Sequence, residues 1–298
     1  MSTTSPEHPT ISVIVPAWNA EGSIGRLLDA LAAQSAAANR FETILVDNGS
    51  TDATCEIVRS YPVVRLLSEP QPGSYRARNR GVNAARGTFL LFTDADCLPA
   101  EDWVETALAF TRRSGPFGIV AGAVEFIPPG AGDPTGAERF ENLFSLRQES
   151  NVRAGHCVTA NWLCRKDELI ELGGFDADML SGGDVECSRR YVARGFPLTY
   201  AGSLIVRHPA RAGLEALIAK TRRVAGGQWQ MRQSAGPLTF VRELHRVLRG
   251  YTQRLAIVWR QPGGTSLRVR TTGVCSALAL VELGEIVRLA FGARPFRS

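Results

Sequence analysis

The first hundred residues alternate between short apolar runs and amphipathic segments, and this alternation constrains the fold more than any other feature. Apolar runs of strand length lie at 11–15, 41–46, 63–67 and 88–92. Segments of helical periodicity separate them, at 21–34, from Ser50 or Thr51 onward, and at 74–85. Strands that alternate with helices predict an α/β fold, in which helices flank a mostly parallel sheet with right-handed crossovers.

Polar residues follow three of the predicted strands. Pro16 to Asn19 follow the first strand, Asp47 the second, and Asp94 with Asp96 the fourth. Ligands bind beyond the carboxyl ends of the strands in sheets of this kind, so we expect the functional site there. No G-x-G-x-x-G motif follows the first strand, which disfavours a dinucleotide fold of the usual kind.

Asp94 and Asp96 stand one residue apart at the tip of an apolar strand. Like charges this close repel, and one carboxyl would be driven toward protonation unless a cation lies beside it. Mg²⁺ and Mn²⁺ prefer carboxylate and phosphate oxygens and are often held by only one or two protein carboxylates. The pair therefore indicates a bound divalent cation. The plainer alternative is a helix cap beside a surface acid.

Composition is that of a globular protein, with 44% hydrophobic and 21% charged residues. The six cysteines are scattered without a C-x-x-C pair, which predicts reduced thiols rather than a zinc site or a disulfide framework. The polar segment 1–9 is expected to be a flexible tail.

Positive charge is concentrated near the C-terminus. The net charge is +5, and residues 236–298 hold ten arginines and three glutamates, which leaves −2 for the first 235 residues. Such a balance indicates an anionic partner, for which a membrane surface, nucleic acid and a phosphorylated substrate are candidates, or else a solvated basic face. Residues 274–291 are apolar but contain Glu282, Glu285 and Arg288, so an interfacial or packed helix is favoured over a membrane span.

Six motifs, in order, resemble those of family 2 glycosyltransferases with the GT-A fold. They are SVIVPAWNAE, ILVDNGSTDAT, GSYRARNRGVNAARG, LLFTDADC, TANWLCRKDELIELGGFD and LSGGDVECSRRYVARGFPLTY. The resemblance implies a Rossmann-like GT-A domain over 10–210 and a basic helical C-terminal extension over 211–298. It also implies metal-dependent, inverting hexosyl transfer from a nucleotide-diphosphate sugar, with UDP- and dTDP-sugars the first candidates, to an unknown hydroxyl acceptor.

The resemblance implies roles for individual residues on the donor side. Those expected to bind the donor are Pro16, Ala17, Asn19, Glu21, Asp47, Arg78 and Asp94. Asp96 and His208 would bind the Mn²⁺ or Mg²⁺ ion. Plainer roles stay open for two of them, since Asp47 could cap a turn and His208 could be structural.

On the acceptor side, Asp184 would be the base that deprotonates the hydroxyl, although an Asp at a helix start is commonly only a cap. Relatives often carry Glu-Asp where this chain has Gly183 and Asp184, so the first acid is missing. Glu186 could partly replace it or be an ordinary helix residue. Asn161 and Trp162 are also expected on the acceptor side.

Two other classes stay open. A haloacid-dehalogenase-like phosphatase would use Asp94 as nucleophile, although three strand–helix units precede a motif that normally opens that domain. The second class is a non-catalytic module that has kept the nucleotide-sugar pocket, and the presence of all three acids, Asp94, Asp96 and Asp184, argues against it. We expect an enzyme of cell-envelope, polysaccharide or lipid-linked glycan synthesis, cytoplasmic and peripheral at the inner face of the membrane, without a nucleic-acid partner.

Overall fold

A computed structural model of the chain describes residues 8–127, 133–211, 213–232 and 239–296. Residues 1–7 of the predicted tail lie outside this part. The chain divides into two compact units. The first comprises Met1–Glu125, Arg147–Asp178 and Gly183–His208, and the second Phe126–Leu146, Met179–Gly182 and Pro209–Ser298. The longest segment of the second unit, Pro209–Ser298, begins next to the predicted boundary at 210/211. The unit also contains the two earlier segments.

Eight strands form one sheet. They are β1 (Ile11–Ala17), β2 (Phe41–Asp47), β3 (Val64–Ser68), β4 (Phe89–Phe92), β5 (Leu98–Pro99), β6 (Ile119–Ile127), β7 (Trp162–Arg165) and β8 (Leu198–Pro209). The helices of the first unit are α1 (Ile24–Ala32), α2 (Thr54–Arg59), α3 (Ser74–Ala84), α4 (Trp103–Phe110), α6 (Gln148–Arg153), α7 (Lys166–Glu171) and α8 (Gly183–Ala193). The predicted α/β fold is confirmed.

The strand order is β3-β2-β1-β4-β7-β6-β8-β5. The pairs β1–β2, β1–β4 and β2–β3 are parallel, whereas β4–β7, β6–β7 and β5–β8 are antiparallel. The sheet is therefore mixed, and its second half departs from the mostly parallel arrangement that we expected. Strands and helices go on alternating after residue 92, but β7 pairs antiparallel with both β4 and β6, so the later helices do not join parallel neighbours as those of the first half do.

The central strand explains why this sheet forms from these residues. In β1, Ile11 to Val15 are fully buried, as expected for a strand with neighbours on both sides and helices on both faces. α1 buries Ile24, Leu27, Leu28 and Leu31, the face that its periodicity predicted. Parallel pairing of β1, β2 and β4 brings their carboxyl ends to one edge of the sheet.

The second unit is helical, with α5 (Gly136–Phe144), α9 (Leu214–Arg232), α10 (Thr239–Arg260) and α11 (Thr265–Ala290). Two apolar clusters hold it together, one of which joins Phe140, Leu217 and Leu278, the other Trp229, Val247 and Ile286. α11 is packed in both clusters, which agrees with the packed-helix alternative for 274–291. No helix of the described residues is both long enough and apolar enough to cross a membrane.

Candidate active site

The loops after β1 and β2 are joined by reciprocal hydrogen bonds. The Asn19 amide N–H donates to Ser50 Oγ at 2.9 Å, and the Thr51 N–H donates to Asn19 Oδ1 at 2.9 Å. The Glu21 carboxylate accepts from the Ala53 N–H at 3.0 Å. Asn19 has a φ of 47°, a left-handed conformation that asparagine tolerates better than most residues. Two predicted donor residues, Asn19 and Glu21, thus also fix the shape of this edge.

These bonds explain why α2 begins at Thr54 rather than at Ser50 or Thr51. Asp52 accepts from the Glu21 N–H at 3.1 Å and from the Thr54 N–H at 3.0 Å. The polar residues that resembled a helix start instead tie α2 to the loop after β1. The predicted helix start was wrong because side chains of this type serve turns as readily as caps.

Asp47 lies buried at the end of β2 and closes its own turn. Its carboxylate accepts from the Gly49 N–H at 3.2 Å and from the Ser50 N–H at 3.1 Å. Gly49 has a φ of 80°, which favours glycine. Ala17 is buried opposite Asp47, and Pro16 precedes it in β1. The turn-capping role is therefore present, and carboxylate lone pairs remain beyond these two bonds.

Arg78 of α3 forms an ion pair with Asp94, with 2.6 Å between Nη2 and Oδ1. The arginine is buried, and its Nε has no partner among the described residues. About a third of the Asp94 side chain, 34%, stays exposed. The repulsion between the two carboxylates requires a positive charge nearby. For Asp94 that charge is the Arg78 guanidinium.

Asp96 lies beside His208, with 3.1 Å between Oδ2 and Nε2. The short strand β5 follows Asp96 and pairs with β8, where Leu98 lies opposite Arg207. This pairing brings together two residues that are far apart in the sequence. With Cys97, they offer three potential ligand atoms within 4.8 Å of one another.

Cys97 was not selected from the sequence, where nothing but its position beside Asp96 distinguishes it. Burial, and then the charges of Asp94 and Asp96, raise the pKa of its thiol well above the ordinary value. Mg²⁺ and Mn²⁺ prefer oxygen ligands, and a soft sulfur ligand suits them less well than a carboxylate or an imidazole. Asp96 and His208 are therefore the better pair of ligands.

Asp184 lies in the first turn of α8 and is partly exposed. Its carboxylate accepts from Tyr75 Oη at 3.2 Å, from the Val185 N–H at 2.9 Å and from the Thr159 N–H at 3.4 Å. Burial raises the pKa of Asp184, while the positive charge of Arg78 and the N–H donors act in the opposite direction. A carboxyl group whose pKa is raised toward neutrality is suited to accept a proton.

Tyr75 was missed in the sequence. It lies one turn before Arg78 on α3, and the Arg78 guanidinium carbon is 5.5 Å from the centre of its ring. Tyr75 and Arg78 thus connect Asp184 to Asp94 through one helix. A tyrosine inside GSYRARN is too common a core residue to stand out without the structure.

The predicted acceptor-side residues Asn161 and Trp162 are both 0% exposed. Asn161 donates to the Ala123 and Leu204 carbonyls and accepts from Trp103 Nε1. The structure therefore gives neither side chain access to an acceptor, because Asn161 braces the sheet against α4 and Trp162 fills the core.

Glu186 forms a two-pronged ion pair with Arg190, with distances of 2.6 and 2.8 Å. The two residues are one helical turn apart on α8, and Arg190 also donates to the Gly174 carbonyl at 2.6 Å. This is the ordinary-helix alternative for Glu186.

The Glycosyl transferase family 2 model matches residues 12–173. Glycosyltransferase AglE of Haloferax volcanii is 35% identical over 229 residues, which cover 75% of this chain and 74% of that protein. Validoxylamine A glucosyltransferase of Streptomyces hygroscopicus subsp. limoneus is 28% identical over 64% of this chain and 49% of its own length. This chain thus spans about half of the latter relative.

Two solved structures are similar in fold. S. aureus TarS 1–349 in complex with UDP-GlcNAc has a TM-score of 0.55 at 23% identity, over 72% of this chain and 65% of that one. Mannosyltransferase PcManGT from Pyrobaculum calidifontis, in complex with GDP-Man and Mn²⁺, has a TM-score of 0.56 at 21% identity, over 97% and 77%. At these identities the likeness concerns the fold.

Proposed function

Since the chain belongs to glycosyltransferase family 2, we propose that it transfers a hexosyl group, with inversion, from a nucleotide-diphosphate sugar to an acceptor hydroxyl. The observation that carries the proposal is the link from Asp94 through Arg78 and Tyr75 to Asp184 at the carboxyl edge of the sheet. The UDP-GlcNAc and GDP-Man in similar folds support this donor class. UDP- and dTDP-sugars are the first donors to test.

Asp184 is the proposed general base. It takes the proton of the acceptor hydroxyl while that oxygen attacks the anomeric carbon from the side opposite the departing diphosphate. Because Asp184 is partly exposed, an acceptor hydroxyl can reach it. Because it is partly removed from water, its pKa is raised, which makes it a better proton acceptor. A positioned base contributes about 10²–10⁴-fold to the rate.

Arg78 is the proposed anchor of the donor diphosphate. Its charge is permanent, and its fork matches phosphate oxygens. Asp94 holds the guanidinium in place at 2.6 Å. The joined loops that carry Asn19, Glu21 and Asp47 are the proposed surface for the nucleoside.

Asp96 and His208 are the proposed protein ligands of a divalent cation. The Asp96 carboxylate fits Mn²⁺ or Mg²⁺ in donor type, whereas the His208 imidazole nitrogen 3.1 Å away favours Mn²⁺ over Mg²⁺. Phosphate oxygens and water can supply the remaining ligands. When bound, such a cation neutralises the charge that develops on the departing diphosphate. The structure of PcManGT, which is similar in fold, contains Mn²⁺ and supports this assignment.

The two other classes have less support. Family membership does not support the phosphatase interpretation, and the Asp94 carboxylate, its required nucleophile, is ion-paired with Arg78. A non-catalytic module would need the donor residues but not a base at Asp184. The hydrogen bonds to Asp184 therefore favour an enzyme.

The proposed setting is envelope, polysaccharide or lipid-linked glycan synthesis at the cytoplasmic face of the membrane, where the protein is peripheral. The support is the +7 balance of residues 236–298, because basic segments are attracted to anionic leaflets. The acceptor is a hydroxyl of unassigned identity.

The test is a panel of nucleoside diphosphates and UDP-, dTDP- and GDP-sugars, each with Mn²⁺ or with a chelator. Binding to the native state raises its apparent stability by about 2.7 kcal/mol at a hundredfold excess over Kd. We expect a Mn²⁺-dependent rise in Tm with one nucleotide class, and release of the nucleoside diphosphate from the matching sugar. Stabilisation by none of these ligands, together with hydrolysis of a generic aryl phosphate, would contradict the proposal.

A further inference from the structure

An apolar stripe lies exposed along α10. Val241, Leu248 and Trp259 are 59%, 55% and 48% exposed. At about 100° per residue their spacings of seven and eleven residues place them within about 20° of one line along the helix. Helices that pack in a core hide such residues, as α10 does on another face with Val247 and Val258.

A row of arginines accompanies this α10 stripe. Arg242, Arg249 and Arg260 each follow a stripe residue by one position and therefore lie about 100° further around the helix. All three are exposed, and in the part of the chain that the structure describes none forms an ion pair. The residues between the stripe and the row, His245 and Ala256, bring no negative charge.

The acidic residues of the segment that forms α10 and α11 are all buried. The acidic residues of 239–296 are Glu243, Glu282 and Glu285, and all three are buried in ion pairs with arginines. What remains exposed along this segment is positive.

We propose that the outer face of α10 binds the surface of an anionic phospholipid bilayer. The stripe enters the boundary between headgroups and acyl chains, where tryptophan is favoured, and the arginine row contacts lipid phosphates. Charge complementarity selects anionic lipid over a second copy of this chain, because two arginine rows would repel. The inference rests on the peripheral location proposed above but not on the transfer reaction. It assigns membrane binding to α10 instead of residues 274–291. Most of those residues lie in α11, which buries Glu282 and Glu285 in its packed face.

The experiment is co-sedimentation of the full chain with vesicles of phosphatidylcholine alone or with phosphatidylglycerol. Full-length protein should pellet with the anionic vesicles, less in high salt and little with the neutral ones. Arg242→Gln/Arg249→Gln/Arg260→Gln should lower the partition coefficient by roughly a hundredfold, given the contribution expected of each arginine near such a surface. Leu248→Ser/Trp259→Ser should lower it by about tenfold, because apolar area no longer enters the bilayer.

The matched control is Arg59→Gln/Arg112→Gln/Arg194→Gln, which removes the same charge from exposed arginines of the first unit. Equal losses in both triple variants would overturn the assignment to α10. No binding of the unmodified protein to anionic vesicles would overturn the peripheral location as well. A concentration-dependent dimer, lost in Leu248→Ser/Trp259→Ser without lipid, would assign the face to a second copy. Release of nucleoside diphosphate reports the transferase proposal separately.

A second inference concerns Tyr75 and the missing acid before Asp184. The Tyr75 ring is buried, stacks on Phe175 with 5.9 Å between ring centres, and donates from its hydroxyl to Asp184. A Cβ at Gly183 would lie 2.8 to 3.0 Å from three atoms of that ring. Gly183 has no positive φ, so what it supplies here is space.

The geometry points to Tyr75 as the residue that positions Asp184. In that position its ring leaves no room for a side chain at residue 183. The ring occupies the volume that an acid at 183 would need, and the hydroxyl holds one carboxylate oxygen. The inference rests on Asp184 as the base. The charged and titratable groups that face Asp184 are Tyr75, Arg78, Cys157 and Cys187.

The test is Tyr75→Phe, which keeps the ring and removes the donor. kcat should fall by about fivefold, the scale of one hydrogen bond, with donor KM unchanged. The acidic limb of the kcat profile should move to higher pH, because the lost donor stabilised the ionised carboxylate. Gly183→Ala should cause a similar loss, and combining it with Tyr75→Phe should add little.

The matched control is Tyr61→Phe, which removes a tyrosine donor from Asp29 elsewhere in the first unit. It should leave both kcat and the pH profile unchanged. An unmoved acidic limb in Tyr75→Phe, while Asp184→Asn is inactive, would overturn the role of Tyr75 alone. An active Asp184→Asn would instead overturn the proposed base.

Discussion

Acidic side chains serve different purposes in the two units. At the carboxyl edge of the sheet, Asp94, Asp96 and Asp184 stay partly exposed, and the ionic partners are Arg78 for Asp94 and His208 for Asp96. In the helical unit, Glu141 and Glu243 are buried and each is bound by two cationic side chains. A carboxylate enclosed by its own cations stabilises an arrangement of helices, whereas one that stays partly exposed at the edge of the sheet can bind a ligand or accept a proton.

Among substitutions of these acidic residues, Asp184→Asn should cause the largest loss of activity. Transfer should fall by about 10²–10⁴-fold because the amide cannot take the proton, while donor binding stays nearly unchanged. The measurement is kcat beside donor Kd. Asp167→Asn is the control, since Asp167 also lies in a first helical turn but pairs with the partly exposed Arg165 and accepts from the Glu168 N–H, away from the proposed site residues. Loss of donor binding in parallel with turnover would make Asp184 a donor residue or a cap.

Asp96→Asn should remove the Mn²⁺-dependent part of donor affinity and lower turnover by about 10²-fold, the scale of the charge stabilisation that a cation supplies. Calorimetric titration with nucleoside diphosphate, with and without Mn²⁺, measures this. Asp102→Asn is the control, because Asp102 is exposed and makes no capping bond. Full activity of the unmodified protein in a chelator would refute the metal site.

Glu141→Gln should act on stability instead of chemistry. Its carboxylate binds Lys220 at 2.7 Å and Arg211 at 3.2 Å, so neutralising it leaves buried positive charge and should cost about 3 kcal/mol in the free energy of unfolding. Urea denaturation measures this, with Glu149→Gln as the exposed control. Activity per folded molecule should be unchanged.

The same cluster predicts a pH dependence. Burial opposes ionisation of Glu141, but Lys220 and Arg211 outweigh it and hold its pKa below the ordinary value. Its contribution to stability is therefore complete above the pKa of the unfolded chain and is lost as the pH falls through the lower folded value. Glu141→Gln should flatten this acidic decline in unfolding free energy. An identical decline in the variant would contradict the assignment.

Glu186→Gln should have the smallest effect. It breaks a partly exposed pair one helical turn apart, worth about 0.3–0.5 kcal/mol, and should change kcat by less than about twofold. A tenfold loss of kcat with unchanged Tm would show instead that Glu186 replaces the acid missing at 183.

The local pattern predicted the first half of the sheet well. The apolar runs of β1, β2 and β4 and the buried face of α1 follow from periodicity, because strands in the middle of a parallel sheet must be apolar throughout. The antiparallel half could not be predicted in this way. Pairing of β7 with β4 and β6 depends on which edges remain open once the first strands have assembled, which no local pattern encodes.

The sequence by itself determined the chemistry that this chain can bring to a site, because Asp94 and Asp96 follow a strand end, Asp184 begins a helix and Arg78 lies within the helix α3. Only the tertiary structure decided how they are partnered. The β5–β8 pairing brings His208 to Asp96, and the fold places the Tyr75 ring over Gly183 and beside Asp184. It also buried Asn161 and left the arginine row of α10 exposed. Side-chain type is local, whereas proximity and burial depend on contacts between residues distant in the chain.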